Sequence, residues 1–398
     1  MKKDFYRIKK LPPYVFAEVN KVKAEARARG EDVIDFGMGN PDAPTPEHIV
    51  EKLKETVNDP KTHRYGVSAG ILGLRKAVAG YYERRFGAHF DPETEISVSQ
   101  GSKEGLYHLA LAISEPGDEI LVADPSYPIH AFGFRITDAT IKFLPKDFDA
   151  PDHAQDFIEK FKKAVESSSK KPLAVIVNYP SNPTAETVDL SFYEEMVALC
   201  KKYDIILISD LAYCEIYFDE NKPTPSVMQV KGAKDVAVEF TTVSKTYSMA
   251  GWRVGFAVGN PNIIHAMKRI ESYLDYGGFT PIQVAAAAAL NGPQDCVEEA
   301  RLRYKERRDL LVKGLNDAGW PVDAPDASMF LWAKLPEKFR DLGSLEFSKL
   351  LLEKASVAVS PGVGFGQGGD GHVRISLIEN PQRTRQALKN IKKFIKDQ

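Results

Sequence analysis

The sequence predicts an α/β protein. A large domain on a mainly parallel, seven-stranded sheet flanked by helices is joined to a smaller α+β domain, formed from the C-terminal segment and an N-terminal arm. Three observations carry this. Short runs rich in Val, Ile and Phe alternate with longer stretches of helical period from about residue 45 to 285. Several of those runs are apolar on consecutive residues, as strands covered on both faces must be. After Gly292 the rhythm gives way to a long charged helix and a few scattered strands.

The elements follow in order. Residues 1–44 read as an arm, with a helical stretch at Phe16–Arg29 and a Gly/Pro turn at Gly37–Pro41. The arm is expected to pack on the smaller domain or on a partner chain. Residues 45–290 form the large domain. Its strands are expected at Ile96–Ser99, Glu119–Ala123, Thr140–Leu144, Leu173–Asn178, Ile205–Ser209, Val236–Val243 and Val254–Val258. Helices are expected at Ser102–Ile113, Phe157–Ser167 and Leu190–Tyr203. Residues 291–398 form the smaller domain. It has a helix from Gln294 to Ala318, strands at Ser328–Lys334 and Val373–Leu377, and a closing helix from Asn380 to Ile395.

Bulk properties exclude several classes. The 398 residues are 43% hydrophobic and 27% charged, with a formal net charge of -2. That is an ordinary globular composition with no electrostatic footprint for nucleic acid or anionic lipid. No apolar run approaches the roughly 20 residues that span a bilayer, and no signal-peptide core follows the basic start. The three cysteines, Cys200, Cys214 and Cys296, are far apart and form no CxxC pair. Free thiols in the cytoplasm are expected. The eight histidines form no HExxH and no His/Cys cluster, so no metal site is expected.

Four segments sit where ligands collect in such sheets, at the carboxyl ends of strands. Gln100–Gly105 follows the first strand and opens a helix, whose first amides suit a phosphate. Ser102 is expected to cap that helix, and read alone the segment is better explained as a capped helix with no ligand. Asn178–Thr184 is a proline-fixed turn in which Asn182 can point its amide at a ligand. Ser209–Tyr213 ends an apolar strand on Asp210, a carboxylate that must meet a cation, a metal or a polar network. A helix cap or a satisfied core carboxylate explains it equally well. Thr242–Tyr247 places Lys245 at a strand end among hydroxyl residues, with Arg253 eight residues on. A lysine of depressed pKa in a pocket forms imines with carbonyl compounds. Gly364–Gly369 matches GxGxxG, but it precedes a strand rather than a helix. It reads as a flexible loop, not a dinucleotide site.

Taken together and in order, Asn182-Pro183-Thr184, Asp210 with Tyr213, residues 244–255 (SKTYSMAGWRVG) and Arg374 resemble the fold-type I, class I/II aminotransferase family. The likeness covers essentially the whole chain. It implies pyridoxal 5'-phosphate (PLP) as cofactor, bound by the large domain and linked to Lys245, which then shuttles the substrate proton. It implies that Asp210 pairs with the cofactor's ring nitrogen, that Tyr213 and Asn182 bond its 3-oxygen, and that Tyr127 stacks on the ring. Ser102, Lys103, Ser244 and Arg253 would hold the phosphate, joined by Tyr65 of a neighbouring chain, so a homodimer with shared sites is expected. Arg374 would grip the substrate carboxylate, which Gly39 approaches through its backbone. Two departures stand out. Ala185 replaces the glycine that usually follows Asn-Pro-Thr, which implies a small strain if φ is positive there. Ser102-Lys103 replaces a smaller-residue loop.

Within the family, Leu11–Phe16, Asp275–Pro281 and Leu377–Asn380 are most similar to bacterial glutamate-pyruvate (alanine) aminotransferases. LL-diaminopimelate, methionine and aromatic or aspartate aminotransferases are the alternatives. A PLP-dependent C–S lyase would use the same core residues. A non-catalytic PLP-fold binding protein would be expected to carry a basic DNA-binding region, and no basic patch is present.

Overall fold

The computed structural model describes residues 5–12 and 15–397. Pro13 and Tyr14, part of the Leu11–Phe16 motif, lie outside them. A short strand β1 (Ile34–Asp35) comes first, and seven further strands make the main sheet. These are β2 (Ile96–Ser99), β3 (Glu119–Asp124), β4 (Thr140–Pro145), β5 (Ala174–Asn178), β6 (Ile206–Asp210), β7 (Ala237–Thr242) and β8 (Gly255–Gly259). Each predicted strand is present, shifted by no more than a residue or two at its ends.

The sheet order is β2-β8-β7-β6-β5-β3-β4. β8 is antiparallel to both its neighbours and every other pairing is parallel. The carboxyl ends of β2, β3, β5, β6 and β7 therefore share one edge with the amino end of β8. The central strands β7 and β8 are buried at every position, while the edge strand β4 is half open. On one face Leu121, Val175 and Leu207 meet helices Leu72–Phe86, Leu190–Tyr203 and Thr280–Asn291. On the other, Ile120, Ile176 and Ile208 meet Ser102–Ile113 and Pro261–Leu274. Consecutive apolar residues are needed because successive side chains enter opposite cores.

A second core surrounds the three-stranded antiparallel sheet of β9 (Phe330–Lys334), β11 (Ser360–Pro361) and β12 (His372–Ser376). Just before β11, β10 (Val357–Ala358) pairs in parallel with β1. Trp320, Phe330 and Phe347 are fully buried in this core. The arm helix Val15–Ala28 rests on helix Gly343–Ala355 and on β11.

Four local readings change. The helix expected from Phe157 starts at His153, because Asp152 caps it by accepting the N–H groups of Ala154 and Gln155. Gly101, not Ser102, occupies the cap of the Ser102–Ile113 helix, with φ of +94°, and no side chain caps it. The strand expected to run to Val243 ends at Thr242, and Val243–Thr246 turns into a helical coil that carries Lys245. Gly364–Gly369 is not a loose loop. It folds as 3₁₀ turns against the end of β3, where Gly368 N–H donates to Asp124 Oδ2 at 3.0 Å and Ser126 N–H to the Phe365 carbonyl at 2.9 Å. Glycine lets the backbones approach this closely. A Cβ on Gly362 would lie 2.0 Å from the Gly369 carbonyl oxygen.

Gly362→Ala is therefore expected to cost about 2 kcal/mol or more, since two backbone segments must part. Gly73→Ala, whose methyl would meet nothing within 4 Å, should change stability by less than about 1 kcal/mol. Urea unfolding of the two variants beside the native chain checks the contrast.

Candidate active site

The shared sheet edge opens into a cavity of about 490 Å³, the size of a small-molecule site. Eleven of the twelve residues singled out in the sequence line it: Gly39, Ser102, Lys103, Tyr127, Asn182, Asp210, Tyr213, Ser244, Lys245, Arg253 and Arg374. Tyr65 does not. It is 86% exposed and packs against Tyr276 with ring centres 4.7 Å apart and the rings tilted by 39°.

Lys245 leaves the end of β7 on its helical turn and enters the cavity half-buried. Its Nζ donates to the Gly39 carbonyl at 2.5 Å. Burial, with the like charges of Arg374 and Arg253 adding to it, lowers the amine to about 8. Asp210 ends β6, 4% exposed. His130, on the helix Pro128–Arg135, donates from Nε2 to its Oδ2 at 2.9 Å, and Ala212 N–H approaches Oδ1 at 3.3 Å. The carboxylate is thus fixed on two sides. Tyr213, one turn further on, is buried with its hydroxyl pushed up by burial, and packs edge-on against Phe330.

The opposite wall is built around Arg374 on β12. Its Nη1 donates to Asn182 Oδ1 at 2.7 Å and its Nη2 to the Gly37 carbonyl at 3.0 Å. The guanidinium lies over Phe330 and Phe365, with centres 4.2 and 4.7 Å away. Asn182 is held by the turn after β5, where its N–H donates to Asn178 Oδ1 at 2.8 Å. Ala185 in that turn has φ of +60°, the left-handed conformation that its usual glycine takes freely.

At the third corner the helix start at Ser102 meets Arg253. Arg253 Nη2 donates to the Gln100 carbonyl at 3.2 Å and crosses Gly101 so closely that a Cβ there would lie 2.0 Å from it. Because β8 runs backwards, Arg253, just ahead of its first residue, sits among the trailing ends of the other strands. Ser244, buried, shares a 2.8 Å bond with Thr242 Oγ1. The Lys103 amine lies 6.0 Å from the Tyr127 ring centre.

These residues fit the group the resemblance implies. A helix start with a neighbouring guanidinium suits a phosphate. A buried, partly neutral amine suits an imine. A buried carboxylate braced by His130 suits a protonated ring nitrogen. Sequence reasoning missed His130 and Phe330, neither of which belongs to a local motif. It also missed Lys23 and Asp35, which line the cavity from the arm. Elsewhere, Glu104, His108 and Asp275 bring ligand atoms within 4.8 Å of one another. Each has a protein partner there: Gln100 N–H on Glu104, Glu271 beside His108 and Gly277 N–H on Asp275.

Labelling of Lys245 by an amine-selective acylating reagent, followed by mass spectrometry, is expected to show a midpoint near pH 8. Arg374→Met removes a like charge, so the midpoint should rise. A native midpoint at the ordinary lysine value would contradict the burial of this amine.

A family model described as aminotransferase class I and II matches residues 31–391. The putative aminotransferase AatC of Rhizobium meliloti is 57% identical over 392 residues, covering 98% of this chain and 95% of that protein. The glutamate-pyruvate aminotransferase AlaC of Escherichia coli is 53% identical over 388 residues, covering 98% and 93%. The substrate-bound structure of BacF from Bacillus subtilis superposes with a TM-score of 0.91 at 36% identity, covering 99% of this chain and 98% of that one. The chain belongs to the class I and II aminotransferases, enzymes that use PLP to exchange amino groups between amino acids and 2-oxo acids.

Proposed function

We propose that this aminotransferase moves the amino group between L-alanine and 2-oxoglutarate, giving pyruvate and L-glutamate, with its cofactor held on Lys245. The observation that carries the site assignment is the convergence of Lys245, Asp210 and Arg374 in one cavity at the sheet edge. The alanine/glutamate pair rests on the AlaC likeness and on the motifs at 275–281 and 377–380.

Each side chain then has a task. When bound, PLP supplies the ring that takes up the electron pair left as the substrate Cα–H bond breaks. Lys245 Nζ, already poised near neutrality by burial, takes that proton from Cα and returns one on the other side of the exchange. Asp210 keeps the ring nitrogen protonated, while His130 holds its other oxygen in place. Tyr213 and Asn182 hydrogen-bond the 3-oxygen, and Tyr127 covers the ring face. Arg253, Ser102, Lys103 and Ser244 take the phosphate. Arg374, oriented in advance by Asn182 and Gly37, receives the substrate carboxylate as a fork, close to the Gly39 backbone.

Tyr65 completes the phosphate site of a second copy, so the active form is a homodimer. Its exposure beside exposed Val67, Tyr273, Tyr276 and Phe279 supports this. Residues 45–290 are the PLP-binding domain, and 291–398 with the arm 1–44 form the smaller one, a division supported by the separate hydrophobic cores. Three unpaired thiols support a reducing, cytoplasmic setting.

A panel of alanine, aspartate, methionine, aromatic amino acids and LL-diaminopimelate with 2-oxoglutarate tests the substrate. Alanine should turn over best, and a preference for diaminopimelate would overturn the assignment. Ammonia release without an amino acceptor would instead favour the C–S lyase. Lys245→Ala is expected to lower kcat by about 100-fold or more and to abolish the borohydride-reducible cofactor band. Retention of that band would place the link on another residue.

A further inference from the structure

The turn from Asp35 to Asp42 runs along the cavity, and an ion pair holds each of its ends. At the first end Lys23 Nζ donates to Asp35 Oδ2 at 2.7 Å, with the side chains 12% and 15% exposed. Arg27 approaches the same oxygen at 3.4 Å, and Asp35 Oδ1 accepts the Gly37 N–H at 3.0 Å. At the second end Arg307 forms a two-pronged pair with Asp42, Nη1 to Oδ1 at 2.7 Å and Nη2 to Oδ2 at 2.8 Å. Arg307 is buried and also donates to the carbonyls of Leu377 and Ile378, which anchors it to the second core.

Between the two pairs lie the carbonyls that touch the cations of the site. Gly37 O accepts from Arg374 Nη2 at 3.0 Å and from Ser360 Oγ at 2.7 Å. Gly39 O accepts from Lys245 Nζ at 2.5 Å. A side chain at Gly39 would put its Cβ 2.8 Å from the Phe330 ring, the same ring that lies under Arg374. Past Gly37 the turn has no strand partner, so the position of its carbonyls depends on what holds its ends. Partly desolvated, forked ion pairs supply geometry more than stability.

We infer that Asp42 with Arg307, and Asp35 with Lys23, are positioning residues: they hold the turn whose Gly37 and Gly39 carbonyls place Arg374 and Lys245, and so set the affinity of the site for a substrate carboxylate. The inference rests on Arg374 being the carboxylate receptor proposed above.

The test uses the full-length, PLP-loaded enzyme and propionate, a carboxylate with no amino group to exchange. Asp42→Asn and Lys23→Met are each expected to weaken propionate binding about tenfold, the effect of misplacing one charged hydrogen bond. Lys23→Arg, which keeps the charge, should restore it. Calorimetry gives the Kd, and a melting curve gives the stability of the same samples. Propionate affinity within about twofold of native in both variants overturns the inference, whether or not the melting temperature falls. Failure of both variants to fold also overturns it, by making the pairs structural supports. Arg374→Ala separates the two levels. If it leaves propionate binding unchanged, the carboxylate assignment itself is wrong. If it weakens binding while Asp42→Asn and Lys23→Met do not, only the positioning role fails.

Discussion

Burying the Lys245 amine near two guanidinium groups is the constraint that the rest of the site is arranged around. The amine is desolvated and repelled, so its proton is loosely held near neutral pH. A free lysine would swing out to water. Here the short helical turn after β7 aims it inward and the Gly39 carbonyl receives it. The same desolvation that makes the group unfavourable as an ammonium makes it available as a nucleophile and base.

Topology supplies the other charges. Six strands end at one sheet edge, and five of them, β2, β3, β5, β6 and β7, contribute a group from their ends or the loops that follow. The antiparallel β8 adds Arg253 from its beginning rather than its end. Asp210 is tolerable in a buried strand because His130 reaches it from the helix above β3. Arg374 arrives from the second core and stays in place through Asn182 from the first and Gly37 from the arm. The cavity is therefore a junction of three chain regions, and its cations depend on contacts between them.

Local sequence rules failed where backbone conformation served the site. Gly101 took the cap that Ser102 was expected to fill, because the chain must pass beneath Arg253 with no Cβ in the way. Ala185 accepts a left-handed φ in the turn that carries Asn182. The Gly364–Gly369 segment, a decoy for dinucleotide binding, docks on the end of β3 and sets Phe365 over Arg374.

What the sequence by itself determined was the order of elements and the candidate groups that the fold gathers into one cavity. Buried strands need runs of apolar residues, and Lys245, Asp210 and Arg374 each stand beside such a run with motif neighbours that are contiguous in the chain. What only the tertiary structure decided was which distant residues support them. His130 bonds Asp210 across 80 positions, Arg307 bonds Asp42 across 265, and Arg374 bonds Asn182 across 192. No local period or motif encodes such pairs. They exist because the strand order and the meeting of two cores bring those side chains within hydrogen-bond reach, where burial away from water makes each such bond costly to lose.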